Sequence, residues 1–186
     1  MQITLNNVRL SFPDLFQAKL SKLAAPGSKP SYSATLLVPK DSALRKEIDK
    51  HIEAAVAAEI PDKAKAAAFI KKWGNDTRSS CWTDGDDKEY DGYADHWALK
   101  ANRKEDKGRP TVVDRQGNPV SETDGLIYAG CYVNAKVDLY IQNGEYTGIR
   151  ASLLGVQFVK DGEPFSAGSG VAKFDALEDE EEASLV

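Results

Sequence analysis

Catalysis needs a nucleophile beside a base, paired carboxylates across a cleft, or a metal held by several ligands, and the sequence can be searched for each. The two histidines, His51 and His96, have no cysteine or second histidine nearby at zinc-ligand spacing. The stretch DGDDKEYDGYAD over residues 84–95 begins like a calcium loop, with Asp84 and Asp86 at its first and third positions. Lys88 and Glu89 then stand at the fifth and sixth, where a ligand and a glycine are required. It reads as a solvated acidic loop; a metal-dependent hydrolase built on these carboxylates is the competing reading. Gly168 and Gly170 lie outside any strand-to-helix turn, so no phosphate-binding loop is expected. The expectation is therefore a protein without catalytic residues, metal or cofactor.

Binding chemistry is better represented. Recognition of a single nucleic-acid strand requires cations that follow phosphates and rings on which bases stack. Arg9, Lys100, Arg103, Lys104, Arg109, Lys136 and Arg150 are the expected phosphate contacts. Trp82, Tyr93, Tyr128 and Tyr132 are the expected stacking rings, while Trp97 and Trp73 are read as core. The alternative is a protein-interaction adaptor whose folded part is only a scaffold.

These side chains must be carried by strands. Near the N-terminus Val8, Leu10 and Phe12 alternate with Arg9 and Ser11, which predicts a strand ending at Pro13. Residues 20–30 have no apolar period and form a polar loop or hairpin arm, and a second strand spans Tyr32 to Val38. Leu44, Ile48, Ile52, Val56 and Ile60 recur every fourth residue in a helix capped by Asp41 or Ser42. A second helix starts around Pro61 and ends at Gly74, so residues 41–74 form a helical insertion between strands.

Beyond Cys81 the period returns to two. Trp97, Leu99 and Ala101 oppose Lys100, Asn102 and Lys104; Val133, Ala135, Val137, Leu139 and Ile141 oppose Tyr132, Asn134, Lys136, Asp138 and Tyr140. Ile149, Ala151 and Leu153 continue to Val156 and Phe158 only if a bulge at Gly155 shifts the register. Asn143-Gly144 joins these last strands as a hairpin. The pattern predicts a mainly β domain over residues 1–165, a small closed or nearly closed barrel with inserted α-helices.

Net charge is −5, yet the last twelve residues hold six acids and no base, so the remainder is slightly basic. Residues 166–186 combine small residues with an acidic run and are expected to form a disordered acidic tail. No apolar run approaches the roughly 20 residues needed to span a bilayer, and no secretory signal is read at the N-terminus, so a cytoplasmic protein is expected. Cys81 and Cys131 are expected to be small buried side chains.

Several segments together resemble a family of phage single-stranded DNA-binding proteins long known only as a domain of unknown function. They are VRLSFPDLF (8–16), YSATLLVPK (32–40), Arg109-Pro110 with VVD after it, IYAGCYVNAKVDLY (127–140), GIRASLLGVQFVKDGEPF (148–165) and the acidic tail. The resemblance implies a variant OB-fold barrel and non-catalytic binding of single-stranded DNA in phage DNA replication and recombination, within the infected host cell. It also implies a tail that contacts replication proteins such as a polymerase or helicase. In this chain Glu178, Asp179, Glu180, Glu181 and Glu182 would compete with DNA, leaving Leu185 and Val186 to dock on the partner. Many proteins of this functional type end in an aromatic residue, whereas this chain ends Ser184-Leu185-Val186. Assembly as a homodimer is left open.

Overall fold

The computed structural model describes residues 1–166 apart from Leu23 and Asn75. The acidic tail expected over 166–186 therefore lies, beyond Ser166, outside the described residues. Among the described residues seven strands and two α-helices follow one another as β1 (Gln2–Lys19), β2 (Ser31–Pro39), α1 (Ala43–Glu59), α2 (Lys63–Trp73), β3 (Trp82–Asp84), β4 (His96–Lys104), β5 (Thr111–Val113), β6 (Tyr132–Gln142) and β7 (Gly148–Lys160). The sheet order is β3-β4-β2-β1-β6-β7-β5. A parallel pairing of Asn102 in β4 with Ser152 in β7 closes β1, β2, β4, β7 and β6 into a five-stranded barrel of OB type.

Alternation fills the barrel. Leu5, Leu10, Leu36, Leu99, Val133, Leu139, Ile149 and Leu153 are at most 1% exposed. The insertion closes one side, with α1 packed against β6 through buried Ile48, Ile52 and Val56. Each fully buried side chain of this kind contributes about 1.5–3 kcal/mol of transfer free energy. Ser42 is the cap, its Oγ accepting from the Arg45 backbone N–H at 3.2 Å. Asp62 caps α2, with Pro61 just before it. Gly74 ends α2 at an ordinary φ of −73°, not in the left-handed turn usual for such a glycine. Its lack of a side chain is required instead by the Ile70 carbonyl, 2.5 Å from where a Cβ would stand.

The first strand differs from expectation. It continues through Pro13 to Lys19, with the register against β2 shifting between Ser11 and Asp14. Phe12 sits at φ 45°, which turns its ring away from the face of Val8 and Leu10 and leaves it 53% exposed. A bulge, rather than a strand end, absorbs the proline. The bulge expected at Gly155 is present one residue earlier: Lys136 pairs with Gly155 and Val137 with Leu153, so Leu154 is the extra residue. Both cysteines are buried, and burial pushes the Cys81 thiol up to about 12.

Candidate nucleic-acid interface

The strictest alternation in the chain places the best candidate surface. Val133, Ala135, Val137 and Leu139 of β6 point into the barrel, so Tyr132, Asn134, Lys136, Asp138 and Tyr140 stand in a row on its outer face. At about 3.4 Å per residue the row from Tyr132 to Tyr140 spans roughly 27 Å. Across it, in register, β7 sets Lys160 beside Tyr132, Gln157 beside Asn134, Gly155 beside Lys136, Ser152 beside Asp138 and Arg150 beside Tyr140. The row thus has a ring and a cation at each end and a cation in the middle. Its single acid, Asp138, is paired with the α-ammonium of Met1 at 2.6 Å.

At the Tyr132 end the Lys160 Nζ lies 4.7 Å from the ring centroid and the Arg9 Cζ 5.8 Å from it. Arg9 is less available than its position suggests. Its Nε donates to the Gly130 carbonyl at 3.1 Å, its Nη2 donates to the Glu163 carbonyl at 2.6 Å, and the Phe165 ring lies 4.3 Å from its Cζ. These bonds hold the segment after β7 against the barrel, so in this conformation Arg9 is a clasp as well as a charge. Tyr128 is half-buried against the core, and its hydroxyl is anchored between Asp161 and Gly162. Burial, the largest cause, raises the Tyr128 phenol above its ordinary range.

The remaining expected cations divide. Lys100 and Lys104 are exposed on the outer row of β4, next to the β7 row at the Asn102 to Ser152 junction. Arg150 donates from Nη1 to the Arg78 carbonyl at 2.8 Å and from Nη2 to the Tyr146 carbonyl at 3.4 Å. Arg103 ties down the following loop by donating to the carbonyls of Gly108 and Lys107 at 2.8 and 2.7 Å. The Arg109 Cζ stands 5.9 Å from the Phe16 ring. The Lys136 side chain makes no hydrogen bond or ion pair among the described residues.

Two expected stacking rings must be corrected. Trp82 is 4% exposed because β3 pairs with β4 so that Trp82 and Leu99 both point inward. Its Nε1 donates to Asp49 at 2.9 Å, and Trp97, expected to be core, is the half-buried ring stacked on it at 5.3 Å. Tyr93 is 3% exposed, folded over Leu37 and Ala98 with its hydroxyl donating to Ser11 Oγ at 3.3 Å. Neither ring has a face open to a base. Open rings occur instead at Tyr140, Tyr146, Phe12 and Tyr90. Tyr140 was legible as an outward residue by alternation, whereas Lys160 was hidden. A second bulge, with Val159 as the extra residue of β7 between the pairs Tyr132 to Lys160 and Val133 to Phe158, turns Lys160 outward although simple alternation aligns it with buried Phe158.

The acidic loop has a structural use. Lys40 Nζ pairs with Asp84 at 2.7 Å and also with Asp86, and Asp86 accepts from the Asp95 backbone N–H at 2.8 Å. The tail residues Glu178, Asp179, Glu180, Glu181, Glu182, Leu185 and Val186 lie outside the described residues.

A family described as the ssDNA-binding protein of Enterobacter phage Enc34 matches residues 1–185. The chain belongs to this family. A relative from Acyrthosiphon pisum secondary endosymbiont phage 1, protein p50, is 39% identical over 191 residues, covering 100% of this chain and 99% of that one. Within the family, the single-stranded DNA-binding protein of bacteriophage Enc34, solved in complex with ssDNA, superposes with a TM-score of 0.69 at 28% identity, covering 88% of each chain. The gp2.5 single-stranded DNA-binding protein of bacteriophage T7 superposes at 0.52 with 16% identity, covering 92% of this chain and 98% of that one. At that identity the likeness is one of fold alone.

Proposed function

We propose that this chain is a non-catalytic single-stranded DNA-binding protein of phage DNA replication and recombination. The strand runs along the outer row of β6 and β7, with Lys136, Lys160 and Arg150 on phosphates and Tyr132 and Tyr140 under bases. Lys100 and Lys104 extend the charged surface across the junction with β4. The observation that carries this reading is the row itself: rings and cations alternate along one strand, its one acid is already paired, and the Lys136 side chain has no partner among the described residues. Membership in the family supports the same ligand. The acidic tail competes with DNA for this surface and, once displaced, recruits replication proteins such as a polymerase or helicase.

A salt-dependent gel shift with labelled oligothymidine tests the reading. Single strands are expected to bind and to resist competition by equal masses of duplex, because a duplex hides the faces on which rings stack. Binding should weaken steeply with salt. Absence of a shift at low salt would leave the adaptor alternative, and displacement by duplex at equal mass would rule out stacking.

A further inference from the structure

Midway along the row the surface deepens into a groove of about 500 Å³ between β1 and β5, floored by β6 and β7. Its polar lining includes Thr4, Asn6, Thr111, Asn134, Lys136 and Gln157, and among the described residues it contains no carboxylate. Two of the amides are already oriented. Asn134 Oδ1 accepts from the Asn7 backbone N–H at 2.9 Å, Asn134 Nδ2 donates to Gln157 Oε1 at 3.1 Å, and Gln157 Nε2 donates to the Arg115 carbonyl at 3.3 Å. The side chains of Thr4, Asn6, Thr111 and Lys136 have no partner among the described residues. Asn6 owes its position to a bulge, since the β1 register against β6 shifts between Leu5 and Val8 and Asn7 takes φ 53°. Bulges beside binding sites commonly re-aim a side chain in this way.

We propose that this groove is a nucleotide subsite that reads base identity, with Lys136 on the phosphate and the Asn6 carboxamide on the base edge. The proposal rests on the single-stranded DNA reading and sharpens it. A ring platform accepts every base, because every base has a π-face. A carboxamide offers a donor and an acceptor side by side, which match some base edges and not others. The fixed amides of Asn134 and Gln157 keep the floor polar and preorganised, and the volume is of the size that ligand pockets usually have. Lys136 is the only charge in the lining among the described residues, so an anionic group has one place to go. The groove follows Tyr132 and precedes Tyr140 on the same row, so a strand laid along β6 must cross it.

The test compares the full chain with N6A and K136A for binding to oligodeoxyadenosine and oligothymidine of equal length at several salt concentrations. N6A is expected to change the affinity ratio between the two oligomers at least several-fold, with the salt slope intact. K136A is expected to lower the salt slope for both by about 0.7, the value for one phosphate on a single strand, with the ratio intact. An unchanged ratio in N6A together with an unchanged slope in K136A, while the unaltered chain binds both oligomers, would overturn the subsite and leave the DNA reading standing. Failure of the unaltered chain to bind either oligomer would overturn both.

Discussion

Lys160 stands over the ring of Tyr132, its Nζ 4.7 Å from the centroid, because a bulge in β7 brings a residue that alternation would bury onto the outer face. The contact joins the two chemistries that a single strand requires. Replacing Tyr132 by Ala is expected to cost about 1–3 kcal/mol of binding, the range for loss of one stacked base. Replacing Lys160 by Ala should instead lower the salt slope by about 0.7. Fluorescence anisotropy with labelled oligothymidine over a salt series measures both. Unchanged affinity in the double variant, with circular dichroism showing an intact fold, would move the DNA to another face.

Trp82 should behave as a core residue. Trp82→Ala removes a buried ring and its bond to Asp49, and is expected to cost about 3–5 kcal/mol of stability in urea unfolding. Affinity for oligothymidine, corrected for the folded fraction, should stay the same. A large loss of affinity with unchanged stability would return Trp82 to the binding surface.

The contrast between these residues explains what the sequence revealed and what it concealed. The period of two in β6 is unbroken, so its inward and outward sets could be read directly, and the four-residue period of α1 gave its buried side equally well. Lys160, Phe12 and Asn6 depend on bulges and on positive φ at Phe12 and Asn7. Such local shifts reverse which face a side chain takes and leave no periodic trace. Trp82 failed for another reason. A three-residue strand is too short to show a period, and its partner Leu99 lies seventeen positions away. The proposed path therefore combines residues legible from pattern, Tyr132 and Lys136, with one that only the fold brings in, Lys160.

The acidic loop has a predictable pH response. The hydrogen bond from Lys40, and then the one from the Asp95 backbone, hold the Asp86 carboxyl below its ordinary range. Its ionised form is favoured in the folded state, so its stabilising contribution is present above the unfolded pKa of about 3.9 and is lost as pH falls through the lower folded value. Carboxyl NMR should give an Asp86 midpoint below that of a free aspartate, and Lys40→Met should raise it. An ordinary midpoint in the unaltered chain would mean that the Lys40 contact does not persist in solution.

Shortening the chain to end at Lys173 removes all six acids of the last twelve residues. A tethered competitor acts at an effective concentration on the order of millimolar, so the shortened chain is expected to bind oligothymidine more tightly at low salt. The advantage should shrink as salt rises. Equal affinities at low salt would reduce the acidic segment to a solubility element.

The central claim is the path of the strand, and photo-crosslinking tests it most directly. An oligonucleotide carrying 5-iododeoxyuridine at successive positions is irradiated with the full chain, and the crosslinked residues are mapped by mass spectrometry. Crosslinks at Tyr132 and Tyr140, arising from different positions of the same oligonucleotide, are the predicted result. Crosslinks confined to Phe12 and Tyr90, with none along β6, would contradict it.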